Sequence, residues 1–90
     1  MTKTELVSEI SIKTGMPRDA AQRALNAALQ TIEASLSRGE PVTIPGFGTF
    51  SVKHRGARKG HNVRTGEEIE IPAAEVPAFK PGKALKETVN

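Results

Sequence analysis

The chain opens with a helical period and changes to a strand period near residue 41. Leu6, Val7 and Ile10 fall on one face at helical spacing. They follow Thr2-Lys3-Thr4-Glu5, which has the form of a capping box with Thr2 as N-cap. Gly15 suits the residue just past a helix end, and Pro17 cannot continue a first helix but can open a second. Residues 3–14 and about 18–38 therefore read as two helices joined by a tight turn. The second carries Ala21, Leu25, Ala28, Leu29, Ile32 and Leu36 at i, i+3, i+4 spacing. Ala20, Ala24 and Ala27 beside that stripe are small enough to allow close helix approach, and Gly39 ends the pattern. Such a pair also has the outline of a DNA-reading helix-turn-helix. A recognition helix, however, exposes polar and basic residues at its N-terminal end, and this one is largely Ala and Leu. A packing scaffold is the better reading.

From residue 41 the alternation is of β type. Val42 and Ile44 flank Thr43, and Pro41 and Pro45 bracket a short strand of edge character. Gly46-Phe47-Gly48 predicts a tight reversal. Phe50 and Val52 alternate with Thr49, Ser51 and Lys53, as in a strand with one buried face. Ile69 and Ile71 alternate with Glu68 and Glu70 on a return strand, after the turn formers His61-Asn62-Val63-Arg64-Thr65-Gly66. Pro72 and Pro77 predict interruptions of that ribbon, and Val76 with Phe79 reads as a last core strand. Pro81-Gly82 opens a terminal helix with Ala84, Leu85 and Val89 inward and Lys83 and Lys86 outward. The expected fold class is α+β, in a single domain over residues 1–90. A helical base (1–40) precedes a three-stranded antiparallel sheet (41–80) bearing an extended β-ribbon arm of about 53–72, then a C-terminal helix (81–90).

Composition limits how such a fold can be held. Ninety residues with three Phe, no Trp and no Tyr leave few large side chains for a core, and without Cys there are no disulfide staples. Oligomerisation is the usual remedy. There is no apolar run long enough to span a bilayer and no signal-peptide pattern, so a cytoplasmic location is expected.

Charge then points to a partner. Residues 1–50 carry equal numbers of acids and bases, so the whole net charge of +3 lies in the second half. Lys53, Arg55, Arg58, Lys59 and Arg64 fall within twelve residues that contain no acid and almost nothing apolar. A basic, flexible, double-stranded projection suits a polyanion. The bases lie mainly on β-sequence, which disfavours a membrane, where a basic amphipathic helix is the usual device. An enzyme is disfavoured too. His54 and His61 lack a recognised metal spacing, there is no Cys nucleophile or glycine-rich nucleotide loop, and no serine has an evident base. No metal or cofactor is expected.

Several blocks then agree in order and spacing: Gly46-Phe47-Gly48-Thr49-Phe50, Arg55, Arg58-Lys59-Gly60, Asn62, Thr65-Gly66, and Pro77-Ala78-Phe79-Lys80-Pro81-Gly82-Lys83-Ala84-Leu85-Lys86. On them the chain resembles the HU and integration host factor family, ungapped across nearly its whole length. The resemblance implies an intertwined dimer whose helices form a base and whose two arms wrap the minor groove of double-stranded DNA. An apolar residue at each arm tip wedges between base pairs; this family is itself a standard example of that mechanism. It implies a histone-like protein of the bacterial nucleoid that binds DNA with low sequence specificity and bends or compacts it, favouring bent, nicked or gapped forms. A homodimer is expected, with a heterodimer possible. The alternative is an integration host factor-type subunit with sequence preference; the chain's stopping soon after its last helix favours HU.

Carried over by position, Lys53, Arg55, Arg58, Lys59, His61, Asn62, Val63, Arg64 and Thr65 are DNA-binding residues at or on the arm, and Lys80, Lys83 and Lys86 hold flanking phosphates. Phe47, Phe50 and Phe79, with Leu29, Ile32, Leu36 and Ile44, form the implied dimer core. Two positions depart from the family. Its arm tip reads Asn-Pro where this chain has Asn62-Val63, which makes Val63 the wedge and restores a backbone N–H. His61 stands where the family commonly has Arg, so one phosphate contact per arm becomes weak or pH-dependent.

Overall fold

The first helix, α1, spans Lys3–Thr14, and the second, α2, spans Arg18–Ser37. The start of α1 follows from its cap: Thr2 Oγ1 accepts the Glu5 N–H at 3.2 Å. Its end follows from Gly15, which takes φ of 72° and donates its N–H to Ser11 O at 3.0 Å. Ser11 Oγ also donates to Met16 O at 2.7 Å, tying the turn to the helix it leaves. The Arg18 guanidinium at the start of α2 reaches back to Ser8 Oγ and to Thr4 O. Val7 and Ala21 are the only buried apolar side chains, 3% and 0% exposed. The computed structural model describes residues 1–90 and divides them into two compact units, Met1–Ala34 and Ser35–Asn90.

The second unit holds five strands and a terminal helix: β1 (Val42–Ile44), β2 (Gly48–Arg55), β3 (Arg58–His61), β4 (Glu68–Ile71), β5 (Ala74–Pro81) and α3 (Lys83–Val89). β1, β2 and β5 form a three-stranded antiparallel sheet with β2 central, and β3 and β4 form a separate two-stranded ribbon. The reversal before β2 closes with Phe47 N–H donating to Ile44 O at 3.0 Å. Gly48 admits no larger residue. A Cβ there would lie 2.6 Å from Lys80 O and 2.6 Å from the Phe79 ring. That ring sits 5.4 Å from the Phe47 centroid and 4.8 Å from that of Phe50, both tilted, so the three aromatics form one cluster.

Two local expectations are corrected. Pro77 does not interrupt its strand: β5 pairs only with β2, and an edge strand tolerates a residue without an N–H. Pro72 does mark a break, between β4 and β5. Ala84 and Val89 on α3 are exposed rather than inward, whereas Leu85 is half-buried. The apolar face of the sheet is likewise not buried in the single chain. Phe47 is 44% exposed, Phe79 40%, Ile44 37%, and on α2 Leu29 is 42% exposed. Phe50, Ile32 and Leu36 are half-buried. The chain has too few large apolar side chains to cover this surface by itself.

Candidate nucleic-acid interface

The β2–β5 register sorts the sheet into two unlike faces. Paired residues in an antiparallel ladder share a face, and alternate residues change face. Phe50 opposes both Val42 and Phe79, and Val52 opposes Pro77, so these apolar groups share one face. Thr49 opposes Lys80, Lys53 opposes Val76 and Arg55 opposes Ala74, so Lys53, Arg55 and Lys80 share the other. Period-two sorting thus turns three cations spread over 28 positions into one basic face, edged by Thr49 and Ser51. Lys83 and Lys86 follow on α3, both exposed, with Lys83 Nζ 3.9 Å from Glu87 Oε1.

Beyond Arg55 the pairing lapses on both strands at once. Gly56-Ala57 and Pro72-Ala73 are unpaired, and the ribbon resumes at Arg58 opposite Ile71. The projecting arm is therefore β3–β4, and Arg55 belongs to the end of the body sheet rather than to the arm. On one face of the arm Arg58 and Gly60 oppose Ile71 and Ile69. Gly60 gives the isoleucines room, since a Cβ there would lie 3.0 Å from Ile71 Cδ1. On the other face Lys59 and His61 oppose Glu70 and Glu68, and Lys59 Nζ lies 3.6 Å from Glu68 Oε1. At the last pair of the body sheet but one, His54 Nδ1 lies 2.7 Å from Glu75 Oε1.

The arm tip is organised around Asn62. Its backbone N–H donates to Glu67 O at 2.7 Å, and its carbonyl accepts the Gly66 N–H at 2.7 Å. Its side-chain Oδ1 accepts the Arg64 N–H at 2.9 Å, an Asx turn, and Thr65 Oγ1 accepts the Glu67 N–H at 3.2 Å. Gly66 takes φ of 75° to close the loop. These bonds leave Val63 at the tip with its side chain fully in solvent.

A sequence model of the bacterial DNA-binding protein family matches residues 1–90. The chain is 49% identical to the DNA-binding protein HU of Geobacillus stearothermophilus, with all of both chains covered. It is 51% identical to the SPbeta prophage-derived DNA-binding protein HU 2 of Bacillus subtilis, over 100% of this chain and 98% of that one. This chain belongs to the HU family. Among solved structures, an Anabaena HU–DNA cocrystal matches with a TM-score of 0.93 at 45% identity, covering 99% of this chain and 97% of that one. HU from Thermotoga maritima matches with a TM-score of 0.71 at 34% identity over the full length of both. The family is one of DNA-binding proteins rather than enzymes.

All twelve residues expected to meet DNA lie in one unit of this HU-family chain, Ser35–Asn90. Within it the structure separates them into the basic body face (Lys53, Arg55, Lys80), the arm and its tip (Arg58 to Thr65), and α3. Sequence reasoning missed that Lys59 and Arg58 point to opposite faces and that Lys59 is engaged by Glu68. The parity of Arg58 and Lys59 carried the first signal. The second needed the register of β3 on β4. No helix is long and apolar enough to cross a membrane, and no group of His, Asp and Glu is placed to hold a metal ion.

Proposed function

We propose that this HU-family protein works as a homodimer whose two arms enter the minor groove of double-stranded DNA and bend it, with little sequence preference. The observation that carries the reading is the arm itself. From residue 56 to residue 73 only Gly60 and Ile71 are not exposed, and the stretch from Lys53 to Arg64 carries five cations and no acid. A ribbon this open, with no core of its own, is suited to lying along a polyanion. Phosphate neutralisation by Arg58, Arg64, Lys53, Arg55 and Lys80 supplies affinity that falls steeply with salt. Lys83 and Lys86 add flanking phosphate contacts, and Asn62, Thr65 and His61 add polar contacts near the tip. Val63 is the wedge, an apolar group at the tip that can lever base pairs apart. Selectivity then comes from how easily DNA deforms, so bent, nicked or gapped duplexes bind best. This activity places the protein on the bacterial nucleoid.

The dimer rests on the uncovered apolar surface. Phe47, Phe79, Ile44 and Leu29 all keep a third or more of their surface in solvent. A second copy offers the matching apolar surface about a two-fold axis, as an isologous interface requires. Together with Phe50, Ile32 and Leu36, these residues are the proposed dimer core.

A gel-shift series with intact, nicked and single-stranded DNA at two salt concentrations tests the reading, with native mass measurement of the free protein. The expected result is a homodimer that binds nicked duplex more tightly than intact duplex and loses affinity as salt rises. Equal affinity for nicked and intact duplex would refute bending, and a monomer at micromolar concentration would refute the dimer.

A further inference from the structure

The arm tip carries a group that the wedge leaves unused. Asn62, Arg64, Gly66 and Glu67 each spend their backbone N–H on an acceptor inside the loop. The Val63 N–H donates to no atom of the chain, although Val63 is the most exposed of the large apolar residues, its side chain fully in solvent. Thr65 has the tip's other unpaired amide, two residues from the wedge. In water an unpaired amide is satisfied by solvent. Carried into a groove from which the apolar wedge expels water, it must find an acceptor or cost the complex the loss of its hydration.

The groove offers that acceptor unequally. On the minor-groove edge an A·T or T·A pair presents only acceptors, adenine N3 and thymine O2, whereas a G·C pair adds the donor amino group of guanine. A donor meeting the amino group is both unpaired and crowded. We propose that the backbone N–H of Val63 reads the minor-groove edge beside the wedge, and that it biases the kinked step toward A·T over G·C. The proposal rests on the minor-groove reading above and adds to it a sequence preference located at one atom. Proline at this position would have no N–H to give. The loop needs no such ring, because the Asn62 Oδ1 bond to the Arg64 N–H and the Asn62–Glu67 and Asn62–Gly66 bonds hold the turn.

The test compares equilibrium binding to centrally nicked duplexes of equal length built from A·T, G·C or inosine·cytosine pairs. Inosine·cytosine keeps the major-groove edge of G·C but lacks the minor-groove amino group. The wild-type protein should prefer both A·T and inosine·cytosine to G·C by about fivefold per arm. Val63→Pro should lose that fivefold per arm and keep only the preference that DNA deformability sets. So should a semisynthetic chain with an ester in place of the Val63 amide, which removes only the N–H and keeps the side chain. Val63→Ala keeps the N–H, so it should keep the preference while bending DNA less. An equal preference in the wild-type and ester chains, or none in the wild type, would overturn the proposal. Netropsin competition on the A·T duplex reports separately on the underlying reading. If this minor-groove ligand fails to displace the wild-type protein, the minor-groove reading itself fails and takes the proposal with it.

Discussion

Lys59 shows how one side chain can be cationic in composition yet partly spent in the fold. Its Nζ is 3.6 Å from Glu68 Oε1, and both side chains are more than half exposed. An exposed pair of this kind contributes little stability, on the order of 0–1 kcal/mol. Its acid nevertheless competes with phosphate for the amine. Glu68→Gln should therefore leave the melting temperature nearly unchanged and tighten DNA binding about two- to threefold, as read by fluorescence anisotropy. The salt dependence should steepen as well, since one more cation per arm is free to release counterions. Gly48 is the contrasting case, a residue whose identity is set by packing. A Cβ would sit 2.6 Å from the backbone oxygen of Lys80, which cannot rotate away, and equally close to the Phe79 ring. Gly48→Ala should cost about 1–3 kcal/mol of stability in denaturant unfolding. In the sequence Gly48 reads only as part of a reversal. The ring that forbids a side chain comes from thirty-one positions further on, so the sequence held no local sign of it.

At the scale of elements the arm is a module with its own joint and its own latch. The joint is the pair of unpaired dipeptides, Gly56-Ala57 and Pro72-Ala73, where both strands lose their ladder together. Pro72 lacks an N–H to pair and Gly56 has the widest backbone freedom, so the lapse follows from residue chemistry. The two helices, the reversal at Gly46 and the strand alternation were all readable from period and punctuation, and the structure bears them out. The limits of the arm were not, because strand pattern continues through Lys53 and Arg55 without a change of period. Only the pairing of Arg55 with Ala74 puts that arginine on the body sheet. The latch is Asn62. Removing its Oδ1 by Asn62→Ala frees the Arg64 amide. Hydrogen exchange at Arg64 should then quicken while the melting temperature stays near wild type. DNA affinity should fall several-fold, because the tip must be ordered on binding at a cost of about 1–2 kcal/mol per residue fixed.

At the scale of the whole molecule the deciding feature is how little the single chain buries. Phe→Ala at a fully covered ring costs about 3–5 kcal/mol. Phe47 is 44% exposed in one chain, so a loss of that size at Phe47→Ala is expected only if a second copy covers the ring. Native mass spectra of the variant should shift from dimer to monomer, and the wild-type melting temperature should rise with protein concentration. A wild-type-like dimer of Phe47→Ala would contradict the assignment of this ring to the interface. Much was determined by the sequence alone: the helix pair, the strand alternation, the confinement of net charge to the second half, and the spacing of blocks that marks the HU family. These are legible because periodicity, capping and charge are local properties of a chain. Tertiary structure alone decided which cations share a face, which one an acid already holds, where the arm leaves the body, and that the Val63 amide is left unpaired at the tip. The first three depend on register between strands, which no local pattern encodes, and the last on how the tip loop closes its hydrogen bonds around Asn62.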